Sequence, residues 1–374
     1  MKILQISSAP ISYLGGTEKV VWEISKRMSK KNDVTILQTN LYEPTTASGI
    51  SFKEGVKIIT CKNNLFFGGY GYSKEFTKKL KDIWKDYDLI HIHGYGRFAS
   101  DFSLKFLRNK KPTIFTAHGF FHSKQYSFFK KLHDNTLGKS IKYAKYCTAL
   151  TKLDFKEYLH REVKKERIIE IPNGVDLKKF FKVTEKEVEQ FKSKFGLKKD
   201  FILYVGRIHQ SKGLQYVIEA IKDLDTKFII VGKDAGYKKE LKEKIENLRI
   251  SKKVIFTGNL NEKELLSAYK ASKTFVLFSE WEGFGLVVIE AMAAGTTVIT
   301  SDRGALPFLI KDNQNGMISK YPNVKELESK IRDSLKKNTK IHQIEKNAKE
   351  FSKKFSWEKV AMDYVQLYNK AIKK

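Results

Sequence analysis

The sequence predicts an α/β protein made of two doubly wound domains in tandem. Three observations carry this prediction. Short β-rich runs alternate with longer amphipathic stretches, the pattern that gives parallel sheets covered by helices on both faces. The alternating series occurs twice, on either side of the turn cluster Ile171-Pro172-Asn173-Gly174-Val175-Asp176. The chain has 374 residues, a length that suits two domains better than one.

In the first series, Lys2–Ile6, Val34–Gln38, Val56–Thr60, Leu89–His93, Thr113–Ala117 and Tyr146–Leu150 read as strands. Glu18–Met28 reads as a helix whose apolar face holds Val20, Val21, Ile24 and Met28. A very polar helix is expected over Glu185–Lys194, after the turn cluster. The second series has strands at Phe201–Val205, Lys227–Val231, Val254–Thr257, Thr274–Phe278 and Thr297–Thr300. Trp357–Ile372 reads as one amphipathic helix with Val360, Met362, Val365, Leu367 and Tyr368 buried. The predicted domains are 1–178, 179–355 and a terminal helical segment 356–374. Ligands of such sheets bind outside the carboxyl ends of the strands, so a cleft between the two domains is the expected site.

Composition narrows the class. With 41% hydrophobic and 30% charged residues, a packed globular protein is expected rather than a disordered one. Cys61 and Cys147 are the two cysteines, too few for a disulfide framework or a cysteine-based zinc site. No run approaches the roughly 20 apolar residues of a membrane-spanning helix. The opening residues read as a buried strand rather than a signal peptide, so a cytoplasmic protein is expected.

The formal charge of +29 raises the question of polyanion binding. Residues 1–178 hold 32 basic and 17 acidic groups, and the remainder 39 and 25, so the excess is evenly spread. Much of it is Lys interleaved with Glu, as in Lys156–Lys165 and Lys238–Lys244, the look of solvated helix faces. A Lys-rich surface, attraction to an anionic membrane and nucleic-acid binding are the three readings. No zinc-knuckle spacing, aromatic RNA-binding motif or basic zipper supports the last, and no nucleic-acid partner is expected.

Two segments carry phosphate chemistry. Strand Phe201–Val205 runs into Gly206-Arg207, and Lys212-Gly213 follows before a helical pattern. A guanidinium can grip two phosphate oxygens, Lys adds a point charge, and glycine lets the backbone approach. The alternative is a turn with two solvated cations. The second segment runs from Glu282 through Gly283, Phe284, Gly285 and Leu286 to Glu290 and Gly295. A helix is expected to start near Gly285 and end at a Gly295 cap, its N-terminal amides available to an anion. Glu290 lies inside that otherwise apolar helix and needs a partner, which a ribose diol can supply. A backbone or solvent partner is the alternative.

These residues resemble the retaining glycosyltransferases of family 4, which have the two-domain GT-B fold. The resemblance covers nearly the whole chain. It rests on Gly15-Gly16-Thr17-Glu18, Thr116-Ala117-His118-Gly119, the cluster at Ile171–Asp176, Val205-Gly206-Arg207 with Lys212-Gly213, and Glu282 to Glu290. It implies two Rossmann-like domains facing a central cleft, with the terminal helix after Trp357 crossing back to the first domain. Arg207 and Lys212 would bind the donor diphosphate, and Gly16 would approach its distal phosphate. Glu290 would hold the ribose. Glu282 and the backbone at Phe284, Gly285 and Leu286 would contact the donor sugar and phosphate. His118 would sit near the reacting carbon and the acceptor, and Asn173 and Asp176 would mark a hinge. Members often carry a Gly-Gly-aliphatic-Pro-Glu run after the next strand, where this chain has Arg303-Gly304-Ala305-Leu306-Pro307-Phe308 with Phe308 at the Glu position. A second departure is Gly232-Lys233-Asp234-Ala235-Gly236, longer than the usual turn.

The expected activity is metal-independent transfer of a hexose from a UDP- or GDP-sugar to a hydroxyl acceptor by front-face attack. The nucleotide sugar is a substrate, so no cofactor is expected, and Asp223-Leu224-Asp225 reads as a surface turn rather than a metal motif. Catalytic candidates are His118, Arg207, Lys212 and Glu282. Glu282 is weighed as a sugar contact against a covalent nucleophile, and His118 as a positioning group against a general base. His93 is a second acceptor-side candidate, with a hydrogen-bonded strand-end histidine as the alternative. The acceptor is expected to be a glycan, glycolipid or lipid-linked saccharide. Aromatic segments at 65–72 and 120–131 can meet an anionic membrane, stack on sugars or pack in the core. The rival functions are a nucleotide-sugar epimerase on the same fold and a non-catalytic polyanion binder.

Overall fold

The computed structural model describes residues 1–13, 15–67, 70–120, 127–336 and 338–373, without the side chains of Phe67 and residues 127–130. The chain forms two compact units. The first comprises Met1–Gly174 with Trp357–Lys374, the second Val175–Ser356. The unit changes therefore fall at Gly174/Val175 and Ser356/Trp357, rather than at 178/179 and 355/356. Local packing explains both positions. The Val175 N–H bonds Phe355 O at 2.7 Å within the second unit. Gly174 lies so close to the buried Trp357 ring that a Cβ there would sit 2.5 Å from it.

The first unit is built on an eight-stranded sheet and a separate hairpin. Its strands are β1 (Lys2–Ser7), β2 (Asp33–Thr39), β3 (Gly49–Lys53), β4 (Val56–Cys61), the hairpin β5 (Leu65–Phe67) and β6 (Tyr70–Tyr72), β7 (Leu89–His93), β8 (Thr113–Thr116), β9 (Tyr146–Ala149) and β10 (Ile168–Glu170). The sheet order is β10-β9-β8-β7-β1-β2-β4-β3. All pairings are parallel except β3 with β4. The direction of winding changes between β7 and β1. One face of the sheet is apolar, with Leu4, Ile6, Ile90, Ile92, Phe115 and Cys147 in a continuous core.

The other face meets the terminal helix Trp357–Ile372. That helix buries Trp357, Val360, Tyr364, Leu367, Tyr368 and Ala371, one stripe at helical period. Burying each large apolar side chain there contributes about 1.5–3 kcal/mol. Met362, expected in the interior, is 59% exposed, because it lies off that stripe. Val365 is only partly buried for the same reason.

The second unit is a six-stranded, all-parallel sheet. Its strands are β11 (Phe201–Val205), β12 (Lys227–Val231), β13 (Val254–Gly258), β14 (Thr274–Leu277), β15 (Thr297–Ser301) and β16 (Met317–Ser319), in the order β13-β12-β11-β14-β15-β16. Winding reverses between β11 and β14. Every expected strand is present, its ends moved by at most a residue. The strands not expected are β3, the hairpin and β16, all exposed or very short, while β10 is the short β-like run just before the turn cluster. No helix among the described residues is long and apolar enough to cross a membrane.

Candidate active site

In the second unit the expected phosphate residues come together over the carboxyl ends of β11 and β14, where the winding reverses. That is where open α/β sheets bind ligands. β11 ends in Gly206, whose N–H bonds Val231 O at 3.0 Å. Arg207 follows with its side chain exposed. Its carbonyl accepts the Tyr204 hydroxyl at 2.8 Å, which fixes the backbone from below. Gly213, at φ 69°, is required here, since a Cβ would lie 1.9 Å from Phe278 O. This close approach presses the Lys212 turn against the end of β14. Lys212 Nζ bonds Glu282 Oε1 at 2.5 Å, and Ser279 Oγ donates to the same oxygen at 2.9 Å. Both charged side chains are 16% exposed.

The electrostatics agree with the geometry. Burial first, then Arg207 and Lys212, lower the His209 pKa, so these cations share one locale. Burial raises the Tyr204 hydroxyl, with Glu282 pushing further up and Arg207 pulling down. The Glu282 backbone is braced by the next loop: Ala305 N–H bonds Glu282 O at 2.9 Å, and a Cβ on Gly304 would lie 2.5 Å from that oxygen. Phe308 is 45% exposed and makes no part of this brace.

The helix after Glu282 spans Leu286–Ala294, with Gly285 as N-cap and Gly295 as a left-handed C-cap. No side chain caps its first turn, so its amides stay available to an anion. Phe284 is buried against Phe355 at 6.1 Å between ring centroids, so only its backbone can serve a ligand. Glu290 is buried, and its Oε2 accepts the Tyr269 hydroxyl at 2.9 Å. Tyr269, on the helix Glu262–Ala271, thus gives this carboxylate a protein partner that the sequence did not reveal. In the longer turn after β12, Asp234 Oδ1 accepts the N–H groups of Gly236, Tyr237 and Lys238. Asp223 and Asp225 lie in an exposed turn, where Asp225 pairs with Lys199.

In the first unit, Gly16 opens the helix Gly16–Met28 and is exposed, behind Gly15 at the N-cap. His118 follows β8 in a left-handed conformation, φ 57°, and Gly119 continues at φ 105°. This turn brings the His118 ring back onto His93, with centroids 5.1 Å apart and His118 Nε2 2.8 Å from His93 Nδ1. Burial pushes the His118 pKa down to about 3. His93 is fully buried, its other nitrogen 2.7 Å from Gln5 Oε1. Both its ring nitrogens are therefore engaged, and it is a strand-end histidine behind His118. His91 is likewise buried, between Tyr368 and Thr116. Asn173 is buried next to Gly174, the last residue of this stretch of the first unit. In the first aromatic segment Leu65 and Phe66 are exposed, while Tyr70 bonds Asp101. In the second, Phe120 is core, and 121–126 with the side chains of 127–130 lie outside the described residues.

The sequence matches two family models, Glycosyltransferase Family 4 over residues 14–179 and Glycosyl transferases group 1 over residues 185–351. It is 30% identical to an uncharacterized glycosyltransferase of Methanocaldococcus jannaschii, over 98% of both chains. The chain belongs to the family 4 glycosyltransferases. Solved structures agree on the GT-B fold. Anabaena HepE in complex with UDP superposes with a TM-score of 0.81 at 18% identity, covering 99% of this chain and 100% of that one. Sucrose-phosphate synthase of Thermosynechococcus elongatus gives 0.82 at 22% identity, covering 99% and 98%.

Several residues that shape this glycosyltransferase's candidate site escaped the sequence reading. Ser279, just past the end of β14, and Tyr204, within β11, each bond a residue three positions on, Glu282 and Arg207, contacts that apolar spacing does not mark. Tyr269 lies 21 residues before its partner Glu290. Gln5 did leave a signal: an amide in the middle of a strand that is buried from Ile3 to Ser7.

Proposed function

We propose that this glycosyltransferase retains configuration while moving a hexose from a nucleoside-diphosphate sugar to a hydroxyl of a glycan, glycolipid or lipid-linked saccharide. The observation that carries this is the grouping of Arg207, Lys212 and Glu282 at the reversal point of the second sheet, beside an uncapped helix start. Arg207, Lys212 and the amides at Gly285 and Leu286 take the diphosphate, whose charge grows as the sugar leaves. Lys212 exchanges Glu282 for phosphate oxygens, and Glu282 then faces the sugar. Glu290, whose Oε2 accepts the Tyr269 hydroxyl, is assigned to the ribose. The first unit contributes Gly16 for the distal phosphate and His118 for a sugar or acceptor hydroxyl.

In the reaction the bond from C1 to the diphosphate oxygen breaks. The acceptor oxygen bonds C1 on the same face, and its proton passes to the departing phosphate oxygen. The protein cations and amides balance the charge with no metal required by this scheme. His118, with so low a pKa, orients a hydroxyl rather than taking its proton. The exposed Leu65 and Phe66 and the basic surface support peripheral attachment to an anionic membrane at the cytoplasmic face.

The test begins with thermal shifts for UDP-, GDP- and ADP-sugars, with and without magnesium. UDP-glucose comes first, since the Anabaena neighbour was solved with it. Arg207→Ala and Lys212→Ala should each lower transfer by about 100-fold, the scale of losing one preorganised charge contact. Near-normal turnover in both would refute the phosphate assignment.

A further inference from the structure

Parallel sheets usually bury apolar side chains on both faces. The face of the first sheet under the terminal helix instead carries a polar row. Gln5 on β1, His91 and His93 on β7, Thr116 on β8 and Thr148 on β9 are all buried. The register aligns them: Gln5 pairs with His91, His93 with Thr116, and Thr116 with Thr148. A row of Val and Ile would fill this face without desolvating any polar group, so packing alone does not account for it.

The row forms one continuous hydrogen-bonded chain. His118 Nε2 meets His93 Nδ1 at 2.8 Å, and His93 Nε2 meets Gln5 Oε1 at 2.7 Å. Gln5 Nε2 donates to the Tyr368 hydroxyl at 3.1 Å, and that hydroxyl meets His91 Nδ1 at 2.7 Å. His91 Nε2 then meets Thr116 Oγ1 at 2.8 Å, Thr116 bonds Thr148, and Thr148 reaches Tyr364 at 3.4 Å.

Gln5 is the link whose two ends differ. Its amide oxygen only accepts and its amide nitrogen only donates. The sense of the chain follows from it. Gln5 Oε1 requires a proton on His93 Nε2. Neutral His93 therefore accepts at Nδ1, and the proton in that bond belongs to His118 Nε2. The His118 Nδ1 that remains is a lone pair, with no partner among the described residues. In the other direction Tyr368 accepts from Gln5, which leaves its own proton for His91 Nδ1.

We propose that Gln5, whose amide nitrogen donates to Tyr368 of the terminal helix and whose amide oxygen accepts from His93, sets His118 as the Nε2–H tautomer, so that Nδ1 accepts a hydrogen bond from a substrate hydroxyl. Gln5 and Tyr368 are thus positioning residues for transfer. This rests on the reading of His118 given above as the residue facing a sugar or acceptor hydroxyl. Burial lowers all three histidines, which keeps the chain neutral at neutral pH and its polarity defined. If the Gln5 amide turned over, every proton in the first branch would reverse. His118 Nδ1 would then carry a hydrogen and repel the hydroxyl hydrogen it is meant to receive.

The experiment uses the full chain, labelled with 15N-histidine, with His118 assigned by comparison with His118→Gln. Long-range 1H–15N correlations at neutral pH report the tautomer directly. Wild-type protein should show an unprotonated Nδ1, and finding Nδ1–H there overturns the proposal without any folding question. Tyr368→Phe removes the acceptor that orients Gln5. It should bring in the Nδ1–H form and lower kcat roughly tenfold, the scale of one hydrogen bond, with donor KM little changed. The donor is whichever of UDP-glucose, GDP-glucose, ADP-glucose or GDP-mannose gives the thermal shift. Tyr364→Phe is the control. It removes a buried hydroxyl from the same helix, at the branch end beyond Thr148, and should leave tautomer and kcat within about twofold. Equal losses in the two variants with an unchanged tautomer would mean a merely structural role and overturn the proposal. An altered tautomer with unaltered transfer would uphold the chain's polarity but remove His118 from the reaction. An unaltered tautomer together with an inactive His118→Gln would do the reverse.

Discussion

Acid should destabilise the first unit with a slope set by its buried ionisable groups. His91, His93 and His118 are all held below their usual pKa, chiefly by burial. The unfolded chain protonates each near 6.5 while the folded chain keeps them neutral, so their contribution is complete above that pH and is lost as pH falls. Asp154 acts with the opposite sign. Burial pushes it up to about 7, although its carboxylate accepts the Leu150 N–H at 3.0 Å. Between pH 5 and 6 the folded state therefore holds one proton on Asp154 that the unfolded state lacks. For His133 burial works against the charge, but Asp101 and Asp134 prevail and raise its pKa, so it is charged in both states across this window. The net difference is roughly two protons, or about 2.7 kcal/mol of stability per pH unit. Urea unfolding followed by fluorescence of the buried Trp357, at several pH values between 5 and 6, measures this slope. His93→Gln keeps an amide donor and acceptor and removes one proton, so the slope should fall to about 1.4 kcal/mol per unit. Asp154→Asn should raise it to about 4. A wild-type slope near zero, or one unmoved by both substitutions, would refute the protonation states inferred for this face of the sheet.

Two further outcomes follow from the second unit. Gly213→Ala should cost about 3 kcal/mol or more, since it combines a left-handed backbone with a Cβ 1.9 Å from Phe278 O; a melting temperature within a few degrees of wild type would show that the turn can relax. Glu282→Gln keeps the Ser279 hydrogen bond and frees Lys212 from its ion pair. Calorimetry should then find tighter binding of the free nucleoside diphosphate while transfer falls at least tenfold, and weaker binding would mean that the pair does not compete with phosphate.

Much of the fold was legible because strands and helices differ in period, and the Trp357–Ile372 helix or the strand Leu89–His93 can be found from apolar spacing alone. The strand β3 was not, because all five residues are exposed on an antiparallel edge and carry no burial pattern. The candidate phosphate site was legible from glycine and cation spacing, since Gly206, Arg207, Lys212 and Gly213 are local in the chain. What joins them to Glu282 is not local: Lys212 reaches it across 70 residues, once β11 and β14 lie side by side. The same holds for His93. Its strand position was readable, but its engagement on both nitrogens depends on Gln5 and His118, 88 and 25 residues away.

The division of the chain also orders its synthesis. The first unit takes in Trp357–Lys374, so the ribosome makes the whole of the second unit before the first is complete. An emerging chain that stops short of Trp357 has every strand of the first sheet, yet the amide of Gln5 has no Tyr368 to donate to and the sheet face that carries it has no terminal helix to cover it. The second unit, which is continuous, can close on its own during translation. The first then waits for Trp357–Lys374, and its nascent form is the species that should engage chaperones and be cut by proteases until that helix arrives.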